Sequence, residues 1–341
     1  MILSKPPRSP ALSLALQGGG AHGAFTWGVL DALLEDGRVH FDAISGTSAG
    51  AMNAVVLAQG WLDGGHDGAR ASLDRFWTAV AGTMPLAATM PSADGQGLVL
   101  TPSFKRMLRW ADYFSPDRLN PFDHNPVRDI ISAQIDFERL RAHSPIKLFV
   151  AATHANSGRL RLFRLGEISV DAILASACLP HMNRAVVIDG EPYWDGGYAA
   201  NPAVFPLIGE CHAPDILLIL LAPLRYKETP HSIDEIKERI VDFSFTTSFL
   251  REMQLVAQFR DSARTSGLGR GTLERRIAQV NFHLIDAQDF LSALAAETKL
   301  VANLQFFGML KDLGRTRARE WLQLHYTDLG RRSSADLDQL F

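Results

Sequence analysis

A chain of 341 residues with 47% hydrophobic content has apolar mass for one large domain or two. Its net charge of −3, from 34 basic and 37 acidic side chains without a long like-charge run, argues against nucleic acid as a partner. Two cysteines, Cys178 and Cys211, are too few for a disulfide framework and fit buried thiols in a reducing compartment.

Residues 1–10 carry Lys5 and Arg8, and the apolar run 11–17 is cut short by Gln17 and glycines. That is too soon for a signal-peptide core or a membrane span, so the run reads as a buried strand. The expected location is cytoplasmic, peripheral at membranes, with no transmembrane segment. Gly18-Gly19-Gly20-Ala21-His22-Gly23 then offers unhindered backbone N–H groups at the start of a helix over 24–34. A short strand at 43–45 leads into Gly46-Thr47-Ser48-Ala49-Gly50. This matches G-x-S-x-G, an elbow that holds a serine on a strained strand-to-helix turn. A helix over 49–58 follows. Strand then helix, twice over, is the mark of a parallel sheet covered on its faces.

Residues 82–125 break the pattern, with five prolines and scattered large apolar side chains such as Met84, Leu86, Met90 and Leu98. Long irregular segments of this kind are lids or disordered. Within it, 102–114 reads as a basic amphipathic helix with Thr101 as N-cap. Phe104, Met107, Leu108, Ala111 and Phe114 share one face, with Lys105, Arg106 and Arg109 elsewhere. Such a helix packs on a core or lies in a membrane interface.

A helix is expected over 126–141, a buried strand over 146–153 and an exposed one over 159–165. A helix over 170–177 precedes a hairpin of 185–189 and 192–195 around Gly190-Glu191, closed by Asp195-Gly196-Gly197. The unbroken run 216–221 reads as a central parallel strand and 280–285 as the last one. The rest reads as helices over 232–264, 289–313 (ended by Gly314) and 315–325.

Ser48 needs a base. An aspartate, with a reference pKa of about 3.9, is a poor one unless desolvation raises it. Asp195 is the candidate, because it ends a hairpin strand and two glycines let its backbone pass close beside the serine. No His/Asp/Glu cluster has metal-ligand spacing, so neither a metal nor a cofactor is expected.

The glycine loop, the elbow, Ala175-Ser176-Ala177-Cys178-Leu179-Pro180 and Asp195-Gly196-Gly197, in that order, resemble the patatin-like phospholipase family. Weaker similarity to a bacterial branch runs through Leu119-Asn120-Pro121-Phe122-Asp123, Phe249-Leu250-Arg251-Glu252-Met253 and Leu329-Gly330-Arg331-Arg332-Ser333-Ser334. The resemblance implies an α/β three-layer sandwich with a mainly parallel central sheet and a helical C-terminal region. It implies a catalytic core over 11–206, with 82–125 as lid or access segment, and 207–341 as remaining strands and C-terminal helices. It also implies a serine–aspartate dyad that cleaves lipid acyl esters through an acyl-enzyme. Ser48 would be the nucleophile, Asp195 the base, and the N–H groups of Gly18, Gly19 and Gly20 the oxyanion hole. The partner is a lipid or membrane surface, and the C-terminal helices offer a surface for self-association. Similar proteins more often carry arginine where this chain has His22, which would either make the loop pH-sensitive or be a plain structural replacement.

Three other readings compete, besides a broader carboxylesterase or lipase. An ordinary α/β-hydrolase would recruit His212 or His283 into a triad, yet its elbow normally follows several strands. A nucleotide-binding module would use Gly18, Gly20 and Gly23, but the acid expected after the second strand is missing. A lipid-binding scaffold would have lost its activity, whereas Ser48 and Asp195 are both present.

Overall fold

The run Asp215–Leu220 is buried along its whole length, so both faces of the strand it forms must be covered. The chain covers them with helices on each side. The computed structural model describes residues 10–84, 88–91, 98–111, 113–265 and 271–341. Lys5, Arg8 and Leu86 fall outside the described residues, as do the side chains of Leu108 and Arg109.

In chain order, β1 (Ala11–Leu16), α1 (Gly23–Asp36), β2 (His40–Thr47) and α2 (Ala49–Ala81) open the fold. The hairpin β3 (Thr89–Pro91) and β4 (Leu98–Leu100) leads to α3 (Pro102–Ala111), α4 (Pro116–Leu119), α5 (Pro126–Gln134) and α6 (Phe137–His143). Then come β5 (Lys147–His154), β6 (Leu160–Arg164), α7 (Val170–Ser176), β7 (Val186–Ile188) and β8 (Glu191–Asp195). The chain continues through α8 (Phe205–Glu210), β9 (Asp215–Leu220), α9 (Ile233–Thr265), α10 (Thr272–Gln279) and β10 (Asn281–Asp286). It closes with α11 (Gln288–Leu291), α12 (Leu304–His325) and α13 (Leu337–Leu340).

One eight-stranded sheet runs β10-β9-β1-β2-β5-β8-β7, with β6 also paired to β5. The strands from β10 to β5 are parallel, and β6, β7 and β8 are antiparallel. The expected α/β sandwich with a mainly parallel sheet is therefore what the chain forms. Alternation along the strands sorts the core into two layers. Leu12, Leu14, Leu16, Leu217 and Ile219 face α1, α2 and α12, packing with Phe25, Leu30, Val55 and Phe307. Ala15, Ile216, Leu218 and Leu220 face α8 and α9, packing with Leu207, Phe249 and Met253. Among the described residues, no helix is long and apolar enough to cross a membrane.

Several expected boundaries move, each for a physical reason. The helix after the elbow runs to Ala81, interrupted only by non-helical Gly64 and Gly65. The expected helix over 126–141 is two helices, because the Asp136 side chain accepts from Arg139 N–H and caps a new start. The hairpin turns at Asp189-Gly190, both at positive φ (52° and 82°), one residue earlier than expected. The expected helix over 289–313 is α11, a 3-10 turn at Ala296–Leu300 and the start of α12, which Asn303 caps.

Gly314 does not end a helix. α12 runs through it, and a Cβ there would stand 2.1 Å from the carbonyl oxygen of Phe25 in α1. The glycine allows two helix backbones to touch.

Residues of two of the three motifs that resemble a bacterial branch make structural contacts. Glu252 accepts from Val204 N–H at 3.0 Å and from Phe205 N–H, capping α8 from α9. Phe282 N–H on the edge strand β10 donates to Ser333 Oγ at 3.0 Å, and Ser334 N–H and Ala335 N–H donate back to the Phe282 carbonyl. The C-terminal segment thus covers the sheet edge.

Two glycines of α12 should respond with opposite sign. Nothing stands near a Cβ at Gly308. Gly308→Ala should therefore stabilise by up to about 1 kcal/mol through helix propensity alone. Gly314→Ala should destabilise by about 2 kcal/mol through overpacking against α1. Urea unfolding of both variants is the measurement.

Candidate active site

Gln17, at the end of β1, is buried and fully engaged. Its Oε1 accepts from Leu221 N–H (2.6 Å) and Ala222 N–H (2.8 Å), and its Nε2 donates to the Asn201 carbonyl (3.2 Å). One side chain thereby ties the ends of β1 and β9 to the loop after β8. Asn201 Oδ1 in turn accepts from Gly18 N–H at 2.7 Å. Thr47 Oγ1 donates to the Ala200 carbonyl at 2.8 Å.

Ser48 sits at φ 53°, ψ −123° between β2 and α2, the strained turn that the elbow pattern calls for. Its N–H donates to Ser176 Oγ at 2.9 Å. The backbones here leave no room for side chains. A Cβ at Gly18 would stand 2.8 Å from Ser48 Cβ, and one at Gly50 would stand 2.3 Å from the Leu16 carbonyl oxygen.

Asp195 ends β8 and is 1% exposed. Its Oδ1 accepts from Gly197 N–H at 2.7 Å, while its Oδ2 accepts no hydrogen bond. Burial pushes the carboxyl up to about 7, against the smaller pull of the Gly197 N–H and the Ser48 hydroxyl toward the charged form. The Ser48 hydroxyl is thus close enough to favour ionisation without bonding Oδ2.

The three glycines divide. Gly18, expected in the oxyanion hole, has its N–H already taken by Asn201. The N–H groups of Gly19 and Gly20 donate to no described residue. Gly20 (φ 58°) lies beneath the 3-10 turn, where a Cβ would come 2.3 Å from the Lys299 carbonyl oxygen.

His22 is buried, its Nε2 2.8 Å from Thr298 Oγ1, and Thr298 Oγ1 donates to the Ala295 carbonyl. The imidazole is therefore the donor and pins the loop to the turn. Burial, then the charge of Lys299, pushes His22 down to about 3, so it stays neutral across the physiological range. The alternative of a pH-sensitive loop does not arise from this residue.

These groups line a cavity of about 230 Å³. Gly18, Gly19, Gly20, Ser48, Asp195 and Asn201 form one wall, and Leu179, Leu221, Val241, Phe245 and Leu300 supply an apolar one. Neither His212 nor His283 lines it. His283 is buried against Asp215 (3.0 Å) and Ser334 (2.8 Å) in β10, while His212 gives its backbone N–H to Asp42. Cys178 donates to the Arg184 carbonyl, and burial pushes both cysteines up to about 11. Among the described residues no group of three His, Cys, Asp or Glu could hold a metal ion.

A family model for patatin-like phospholipases matches residues 14–208, and the chain belongs to that family, one of lipid acyl hydrolases. Two solved structures are similar at low identity. The crystal structure of VipD from Legionella pneumophila matches with TM-score 0.41 and 15% identity, over 94% of this chain and 67% of that one. ExoU, in the heterodimeric ExoU–SpcU complex from the type III secretion system of Pseudomonas aeruginosa, matches with TM-score 0.28 and 14% identity, over 95% and 78%. No curated protein matches the chain.

The buried carboxyl makes a stability prediction. Its folded value of about 7 exceeds its ordinary 3.8, so between these the native state holds a proton that the unfolded chain releases. Stability is accordingly lost as pH rises through that window. Asp195→Asn should be more stable than the parent at pH ~8, by an amount on the order of 4 kcal/mol, with the gap closing toward pH ~4. Melting temperatures at both pH values test this.

Proposed function

We propose that the chain hydrolyses lipid acyl esters, as a phospholipase A or related lipid acyl hydrolase, through a Ser48–Asp195 dyad. The observation that carries this reading is the unbonded, buried Asp195 oxygen beside a strained serine, on the wall of an apolar cavity. A buried carboxylate with one free oxygen gains by taking a proton, which makes it a competent base near neutral pH.

In this mechanism Asp195 takes the Ser48 proton as Oγ attacks the ester carbonyl. The displaced electron pair moves to the carbonyl oxygen, which faces the N–H groups of Gly19 and Gly20. Each such donor is worth about 2.7–4 kcal/mol where it has been removed elsewhere. Gly18 donates its N–H to Asn201, which positions the loop, rather than to the developing oxyanion. Collapse expels the alcohol or lysolipid, which takes the proton back from Asp195 and leaves Ser48 acylated. Water then attacks, with Asp195 again as base, and the fatty acid leaves.

Residues 11–206 would form the catalytic core, completed by the strands and helices of 207–341. We assign the 82–125 segment to membrane contact near the cavity. None of its described residues lines the cavity. Its helix α3 is nonetheless tied to the cavity-wall turn by the Lys105–Glu297 ion pair. Phe104 packs on the core, while Met107 (50%) and Trp110 (62%) are exposed. The outward apolar side chains, rather than Phe104, would enter the interface.

Ser48→Ala and Asp195→Asn should each abolish ester hydrolysis with the fold intact, and a fluorophosphonate should label Ser48. kcat/KM should rise with pH to a plateau, with its midpoint at about 7, because Asp195 must be ionised and His22 stays neutral. Substantial turnover by either variant would sink the dyad. For the membrane role, replacing Met107 and Trp110 by Ser should lower activity on vesicles about tenfold more than on a soluble short-chain ester. Equal losses would assign α3 to the fold alone.

A further inference from the structure

The catalytic cavity is not apolar all round. Lys299 is the only lysine or arginine among its described lining residues. Its carbonyl oxygen presses on Gly20, which places its side chain next to the loop that would face the ester. Its Nζ donates to Asp242 Oδ1 at 2.7 Å, and Asp242 Oδ2 accepts from Tyr226 Oη at 2.7 Å.

Past this pair the cavity continues into a groove of about 190 Å³, which shares His22, Leu221, Ala222, Asp242, Ala296 and Lys299 with it. The charged groups added by the groove are Glu235, Glu238 and Arg239. Two of them are occupied. Arg239 lies over the Tyr226 ring at 3.4 Å, and Glu235 accepts from His231 N–H and Ser232 N–H. Glu238 makes no hydrogen bond or ion pair with any described residue. Burial, then the neighbouring acids Glu297, Asp242 and Asp234, push its carboxyl up against the pull of Lys299, and this surplus of acids favours a cation.

The cavity thus combines an apolar wall with an ammonium paired to Asp242, and the groove that shares them adds a carboxylate with no hydrogen-bonded or ion-paired partner among the described residues. We infer that this groove selects a zwitterionic phospholipid, with the phosphate at Lys299 and the headgroup ammonium at Glu238. The inference rests on the acyl-hydrolase reading above. In a glycerophospholipid the phosphate lies a few bonds from the acyl ester, and a choline or ethanolamine nitrogen lies two carbons beyond. A diacylglycerol would use neither charge, and an anionic headgroup would meet the acids of the groove.

The test uses the full chain with monomeric short-chain lipids of identical acyl groups: phosphatidylcholine, phosphatidylglycerol and diacylglycerol. The parent should turn over phosphatidylcholine best. Lys299→Met should lower the phosphatidylcholine-to-diacylglycerol ratio of kcat/KM about tenfold, as expected for one charge-assisted hydrogen bond, with Lys299→Arg restoring most of it. Glu238→Gln should lower the phosphatidylcholine-to-phosphatidylglycerol ratio by a similar factor.

Asp242→Asn separates the headgroup role from a tether. It frees Lys299, so the phosphatidylcholine-to-diacylglycerol ratio should hold, whereas loss of a tether would depress all three substrates together. Equal losses on all lipids in the Lys299 and Glu238 variants would overturn the inference. Binding of the same lipids to Ser48→Ala chains reads these ratios without turnover. Failure of Ser48 labelling would overturn the hydrolase reading, whereas labelling with unchanged ratios would overturn only the headgroup site.

Discussion

Keeping one carboxyl group dry is the constraint on which the site depends. Asp195 has Gly197 N–H on one oxygen and the Ser48 hydroxyl beside it, and it is otherwise buried from water. An exposed aspartate would be ionised near neutral pH but too weakly basic to take a serine proton. Phe245 of α9 packs so closely over the strand end that a Cβ on Gly197 would stand 2.1 Å from its ring. Gly197 and the aromatic above it are therefore one device: the missing side chain admits the ring, and the ring covers the strand end. The same burial that suits the carboxyl to proton transfer burdens the native state at high pH, a cost borne at the site rather than in the core.

The strained serine is held from the outside. A non-glycine residue at positive φ costs about 1–3 kcal/mol and persists only where its neighbours over-determine it. Here Ser176 takes the Ser48 N–H, Thr47 holds Ala200, and Asn201 holds Gly18, so three loops lock one another. Gln17 fixes the same loops to the end of the parallel sheet. Because these contacts join parallel strands at their carboxyl ends, the cavity falls at the position where open α/β sheets place ligands.

The sequence shows the parts of this arrangement whose cause is local. The elbow is legible because a tight strand-to-helix turn demands small residues at fixed spacing, and the sheet covered on both faces because buried strands must be apolar on both sides. The partners that hold the site are not legible. Ser176 is 128 residues from Ser48, Asn201 is 183 from Gly18, and Thr298 is 276 from His22; Ser176 stands in a marked motif but its partner does not show there, and nothing in the neighbourhoods of the other two marks them. Gly314 shows a different failure. A glycine after an apolar run signals a helix end, yet the same residue also permits helix contact, and only the packing of α12 on α1 decides between them. At Asn303 a readable N-cap was present, and the apolar residues before it concealed it.

The portion after residue 206 is no appendage to the site. β9 extends the sheet beside β1 and delivers Leu221 to the cavity, and α9 brings Val241, Asp242 and Phe245. The turn Ala296–Leu300 sits on Gly20 and is joined to the loop by the hydrogen bond from His22 to Thr298. That turn in turn precedes α12, which glycine contact holds against α1, the helix that begins at the glycine loop itself. The loop that would face the reacting oxygen is therefore gripped at both ends by C-terminal elements. Burial and the charge of Lys299, which outweigh the pull of Asp242, keep His22 neutral, and the neutral ring packs on Phe306 while donating to Thr298. His22 thus leaves a loop held by packing and one hydrogen bond.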